Sequence, residues 1–251
     1  MKSYFRQNIP VAEASLLAYS ADMENRGTIA DITKWAETAL PGEESRARSV
    51  IVGCRKAGLF TKGGHGRNAP FMMLSDFPTA ILAVLHPGQV TRVDEAVKHY
   101  WGLVLASVEV DDPDRIGPTH FDPSETETNV FLKPYLDRFN LDLFKRSNLI
   151  GALTGLFASY APHHDFILSD CVVLESLGDQ VAVKIVLNGG YRNTLDGWRG
   201  AGPDHSQVTL TFGECGLGFG RSVRTTRALY ADALNELSMM TPNFTKGGDS
   251  N

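Results

Sequence analysis

Six cations, Arg46, Arg48, Arg55, Lys56, Lys62 and Arg67, fall between residues 45 and 74 with no Asp or Glu among them. Guanidinium and ammonium groups at that density grip oxyanions, and the Arg fork matches both a phosphate and the O6/N7 edge of guanine. Ser45, Ser49 and His65 lie in the same window and add hydroxyl and imidazole hydrogen-bonding groups. The chain as a whole is acidic, with 24 Lys and Arg against 29 Asp and Glu; outside the window 18 cations face 29 acids, a net of −11. A patch of one sign in a body of the other orients an anionic partner as it approaches.

A second basic set, Arg192, Arg199, Arg221, Arg224 and Arg227, is interleaved with Tyr191, Trp198 and Phe219. Arg and aromatic rings together contact phosphates and stack on bases. The same set could equally pair with the acidic stretch near residue 120 or with acidic helices of a neighbouring subunit.

Other chemistries fit less well. His163-His164-Asp165, with Asp170, Cys171 and His205 elsewhere, has neither HxxxH nor HExxH spacing, so no metal site is expected. Gly216-Leu217-Gly218-Phe219-Gly220 places Arg221 where a dinucleotide loop needs its third glycine, and no Walker lysine pattern occurs, so no cofactor is expected. GxSxG is absent and the acids show no paired-carboxylate spacing, so the chain is read as a non-enzyme. Cys54, Cys171 and Cys215 are odd in number, widely spaced and without CxxC, and are read as reduced thiols.

The elements that hold the basic window follow from apolar periodicity. Pro10 suits a first helical position, and Val11, Ala14, Leu17, Ala18 and Ala21 share a face before Gly27. Thr28 can cap a second helix, in which Ile29, Ile32, Trp35, Ala36 and Leu40 recur until Pro41-Gly42. Ser45 is a natural cap for a third, running to about Lys56 with Ala47, Val50, Ile51 and Cys54 inward, and Gly58 supplies a left-handed stop. Residues 59–61 and 69–74 read as strands joined by the Gly-rich loop KGGHGRN.

Further on, Ser75-Asp76 can start a helix through FPTAILAVLH, and the spacing of Val93, Ala96, Val97, Tyr100, Val104 and Ala106 predicts one long helix. Residues 110–128, rich in Asp, Glu and Pro, read as a linker. Beyond it, YLDRFNLDLF and SNLIGALTGLFASYA read as helices, DFILSDCVVLES and QVAVKIVLN as a two-strand unit flanking Leu177-Gly178-Asp179, VTLTF as a strand, RSVRTTRAL as a strand or helix start, and ALYADALNELSMM as a last helix.

Residues 28–74 resemble a winged helix-turn-helix domain: a capped helix, a turn, the basic helix SRARSVIVGCRKAG, and the strand-loop-strand LFTKGGHGRNAPFMML. The Gly58-Leu59-Phe60 entry and Leu74-Ser75 exit of the loop are similar to those of MarR-like regulators, although the loop carries no acid. The resemblance implies a winged-helix domain, with a connecting helix, over 1–109; the residue patterns themselves add the linker over 110–128 and a mixed domain with antiparallel strands over 129–251, expected to serve oligomerisation or effector sensing, so the chain is expected to be α+β. The resemblance also implies double-stranded DNA as partner. Helix 45–56 would read the major groove through Ser45, Arg46, Arg48, Ser49, Arg55 and Lys56, and the wing 59–74 would reach the flanking groove through Lys62, His65 and Arg67. The expected role is a transcriptional regulator of bacterial or phage type, acting as a homo-oligomer with a dimer favoured; a phage packaging or replication-origin protein and a protein-interaction adaptor are the alternatives. With no apolar run at residues 1–19 to make a secretory signal, and none long enough to span a membrane, the expected place is the cytoplasm and no membrane partner is expected.

Overall fold

The computed structural model describes residues 27–62, 71–112, 117–123, 148–160, 170–188, 206–214 and 224–240. Among these residues the helices are α1 Ile29–Ala39, α2 Glu44–Lys56, α3 Asp76–Leu85, α4 Val93–Trp101, α5 Leu149–Tyr160 and α6 Ala231–Ser238. The strands are β1 Leu105–Asp111, β2 Thr119–Phe121, β3 Cys171–Leu177, β4 Gln180–Asn188, β5 Gln207–Glu214 and β6 Arg224–Tyr230. They form one antiparallel sheet in the order β2-β1-β5-β4-β3-β6, so the architecture is mixed α+β.

The sheet owes its register to alternation. Val108, Leu210, Ile185, Val172 and Leu229 stand opposite one another across five strands, and all are buried. A slip of one residue would turn each of these side chains to the other face. Between β3 and β4 the chain reverses through Gly178-Asp179, where Gly178 takes φ 60, a left-handed conformation that glycine adopts without steric cost.

The buried face of the sheet and the helices share one core, reaching from Ile32 in α1 to Leu237 in α6. Every residue of α3 is buried, as expected for a helix that is apolar all round. The two ends of the chain's described part meet: Trp35 Nε1 donates to the Ala233 carbonyl at 2.7 Å, and the Gly27 N–H donates to the Met240 carbonyl at 3.1 Å.

Several expectations are corrected. The helix expected to continue through Val104 and Ala106 ends at Trp101 with Gly102 as its cap, and Val104 is 66% exposed. From Leu105 the strand alternation of Val108 and Val110, both buried against the core, outweighs a helical spacing that was partly coincidental. Ser45 is not the helix cap: α2 begins at Glu44, whose carboxylate accepts from the Gly42 N–H at 2.7 Å. The described residues on either side of the Gly-rich loop, 59–62 and 71–74, carry no strand.

Within the stretch read as a linker, Val110 and Asp111 close β1 and Thr119–Phe121 form β2, both paired into the sheet. Residues 113–116 and 124–128 of that stretch lie outside the described residues, as do the expected helix after Pro10 and YLDRFNLDLF.

Candidate nucleic-acid interface

α2 is amphipathic in a way that sorts its residues by function. Ala47, Val50, Ile51 and Cys54 are buried, and burial, with the charge of Asp94 adding, pushes the Cys54 thiol up to about 12. On the other side, Ser45, Arg48, Ser49, Val52, Arg55 and Lys56 form an exposed stripe at the three- and four-residue spacing of one helical face. α1 precedes α2 across residues 40–43, where Gly42 takes φ 85, and a reciprocal capping box between Thr28 and Asp31 fixes the start of α1.

The end of α2 is equally determined. Gly58 at φ 74 lets its own N–H donate to the Arg55 carbonyl and the Leu59 N–H donate to the Cys54 carbonyl, both at 3.0 Å, closing a Schellman motif. Exposed Lys62 folds back over this terminus, its Nζ 3.1 Å from where a Cβ on Gly58 would stand. A cation there is favoured by the negative end of the helix dipole.

Asp76, the first residue of α3 and 3% exposed, holds the base of the loop. Its carboxylate accepts from the Thr61 N–H at 3.0 Å, the Thr61 hydroxyl at 2.6 Å and the Met73 N–H at 2.6 Å. Both arms of the loop are therefore fixed to one buried charge, and the Met72 N–H completes the anchorage on the Gly27 carbonyl at 2.9 Å.

The cations divide into outward and inward groups. Arg48 is 67% exposed and pairs with Glu37 of α1 at 2.5 Å, a contact that raises its already high pKa. Ser49 Oγ donates to the Ser45 carbonyl at 2.7 Å. Arg46 turns away from the stripe: its Nη2 donates to the carbonyls of His86, at the end of α3, and Gly88 (the latter at 2.9 Å), and its Nε lies 3.4 Å from Glu43. Burial chiefly, with Arg227 beside it, lowers the Arg46 pKa.

Glu43 also takes Arg227 of β6, whose Nη2 donates to both carboxylate oxygens at 2.7 and 2.5 Å. Arg227 stands opposite Leu174 on the buried face of the sheet, whereas Arg224, three positions earlier, points to the other face and lies 3.8 Å from Glu175. Arg224 and Arg227 therefore do not share one surface. His65 and Arg67 of the loop, Arg192, Arg199 and Arg221 of the second set, and His163, His164, Asp165 and His205 lie outside the described residues.

Four residues of this region escaped sequence reasoning. Val52 sits in the middle of the basic stripe at 38% exposure, and extending the 45, 48, 49 series by one turn would have found it. Asp76 was legible only as a helix start, because its partners come from both arms of the loop. Glu37 and Glu43 lie just before the acid-free window, yet their carboxylates reach into it.

Among the described residues no group of three or more His, Cys, Asp or Glu is placed to hold a metal, and no helix is long and apolar enough to cross a membrane. No protein-family model, curated protein or solved structure matches the chain.

Proposed function

We propose that the chain is a sequence-specific double-stranded DNA-binding protein, a transcriptional regulator of bacterial or phage type, that presents α2 to the major groove and residues 59–74 to the flanking groove. The observation that carries this reading is the exposed stripe Ser45, Arg48, Ser49, Val52, Arg55 and Lys56, backed by a buried apolar face on the same helix.

Thirteen residues make a helix of about 20 Å, and its diameter suits a major groove about 12 Å wide. Arg48 and Arg55 have the fork that reads guanine, the Ser hydroxyls reach either partner of a base pair, and Val52 offers methyl groups to thymine. Lys56 and Lys62 serve as phosphate contacts, joined by His65 and Arg67. Arg46 is a positioning residue in this scheme, since its guanidinium is engaged with the end of α3. One such module covers few base pairs, so a symmetric dimer reading two half-sites is the expected working form.

The test is selection of bound fragments from random duplexes by the full chain, followed by affinity measurements on the selected sequence. Arg48→Ala is expected to weaken specific binding by about 1 to 3 kcal/mol with a smaller effect on random DNA. Failure to enrich any sequence, or equal losses on both DNAs, would remove the claim of base reading by α2.

A further inference from the structure

Arg227 contrasts with the surface it faces. Among the described residues the helix-covered face of the sheet is built from side chains such as Val108, Leu210, Ile185 and Leu174, and Arg227 is the one charged group that points to it from the middle of a strand. Its side chain is only 19% exposed. A guanidinium withdrawn from water loses hydration that an ion pair does little more than offset, so an apolar side chain of similar length would serve stability about as well. What the charge adds is direction: apolar packing tolerates sliding and rotation, and hydrogen bonds to a fixed carboxylate do not.

The element it directs is α2. Arg227 Nη2 donates to both carboxylate oxygens of Glu43, and its Nη1 donates to the Val84 carbonyl of α3 at 3.4 Å. Glu43 immediately precedes α2, and its own carbonyl accepts from the Ala47 N–H at 2.9 Å, the first bond of the helix ladder. The Glu43 side chain makes no capping bond to its own helix and extends to β6 instead. The same carboxylate lies 3.4 Å from Arg46 Nε, and Arg46 continues to the His86 and Gly88 carbonyls at the end of α3. β6, α3 and α2 are thus tied through one carboxylate, at the end of α2 that carries Ser45, Arg48 and Ser49.

We propose that Arg227 is a positioning residue for DNA recognition: acting through Glu43, it fixes the rotation of α2 about its own axis, so that Arg48, Ser49 and Val52 address base edges in a single register. The recognition half of this inference rests on the DNA reading of α2, and the orienting half does not. Base contacts require groups held to about 0.5 Å and about 10 to 20°, whereas long lysines find phosphates over a wider range. An α2 free to turn therefore keeps its general attraction to duplex DNA and loses sequence discrimination. A residue of β6, 184 positions from Glu43, in this way governs what the basic helix reads.

Arg227→Met keeps the length of the side chain and removes its hydrogen bonds. Glu43, 43% exposed and still beside Arg46, is not left as a buried unpaired charge, so this variant is expected to melt close to wild type. Arg227→Lys restores the charge without the planar fork. Residual dipolar couplings of the backbone N–H groups, measured on the full chain without DNA, report the orientation of α2 relative to β3, β4 and β5. One alignment is expected to fit α2 and the sheet in wild type. In Arg227→Met the α2 couplings are expected to shrink or to require another orientation, with Arg227→Lys between the two.

Anisotropy on a selected and a random duplex then gives the ratio of the two affinities, expected to fall about fivefold in Arg227→Met and about twofold in Arg227→Lys. Loss of a positive charge alone weakens both duplexes equally and leaves that ratio unchanged. Wild-type α2 couplings in Arg227→Met would overturn the proposal whatever the DNA result, and equal losses on the two duplexes would overturn its recognition half. If wild type binds no duplex while the α2 couplings do change, the DNA reading and the recognition role fall together and the orienting role stands. Should Arg227→Met fail to fold, the same measurements on Arg227→Lys decide, and wild-type couplings with a wild-type ratio there overturn the proposal.

Discussion

Asp76→Ala is the substitution whose outcome the geometry determines most closely. The native carboxylate is 3% exposed and receives three donors, the Thr61 N–H, the Thr61 hydroxyl and the Met73 N–H. Alanine leaves all three without an acceptor. Hydrogen bonds to a charged group contribute about 1.5 to 3 kcal/mol each, but the Thr61 hydroxyl can rotate to another acceptor and water can reach the partly buried N–H groups once the carboxylate is gone. The net loss is therefore placed at roughly 3 kcal/mol, toward the large end for a point substitution. Asp76→Asn keeps one acceptor but turns an NH₂ toward a donor, and about 2 kcal/mol is expected. Urea unfolding monitored by fluorescence measures both, with the midpoint shifting and the slope unchanged if the rest of the fold is intact. Amide exchange at Thr61 and Met73 should accelerate in step. A change below about 0.5 kcal/mol for Asp76→Ala, the range of ordinary surface substitutions, would refute the assignment of Asp76 as the clamp of the loop.

Glu37→Gln releases Arg48 and removes a negative charge beside α2, so DNA affinity should rise and the salt dependence should steepen by about one ion; equal salt slopes would show that Arg48 does not reach phosphate or base. Val52→Ala removes two methyl groups and should cost about 1 kcal/mol on a selected site containing thymine opposite α2, with no loss on random duplex; equal losses on both would exclude a thymine contact. The Arg227 hydrogen bond, ahead of the charges of Arg227 and Arg46, holds Glu43 below its ordinary value of 4.5. A carboxylate whose pKa is lowered on folding stabilises the fold above about pH 4.5, and that contribution is lost as pH falls through the lowered value. Because Glu43 is 43% exposed and screened, the contribution is set at under about 1 kcal/mol, and Glu43→Gln should flatten the acid limb of a stability-pH profile by that amount. An acid limb identical to wild type would show that the pair adds nothing.

Local signals proved readable where neighbours in sequence supply the contacts. Thr28 caps α1 with Asp31, Gly58 ends α2 in the left-handed region, and β3 and β4 turn at Gly178-Asp179, all from patterns a few residues long. What remained hidden depends on partners far along the chain. Arg46 sits beside buried Ala47 on the helix, and only the position of α3 decides that its long side chain reaches sideways to the His86 and Gly88 carbonyls. Arg227 looked like part of a basic surface, yet strand parity turns it inward to Glu43, 184 residues away in sequence. The end of α4 was misread because LVLASVEV fits helical and strand spacing at once, and tertiary packing of Val108 and Val110 chooses between them.

The central claim, that α2 and the loop following it form a DNA surface, is tested most directly by anisotropy of the full chain on a labelled selected duplex across a salt series. On the proposed scheme Lys56, Lys62 and Arg67 would supply three phosphate-neutralising groups per protomer, so log affinity should fall against log salt with a slope of about −3, and Lys56→Gln with Lys62→Gln should reduce that slope by about two. No duplex binding at about 50 mM salt, or an affinity indifferent to salt and to both lysines, would contradict it.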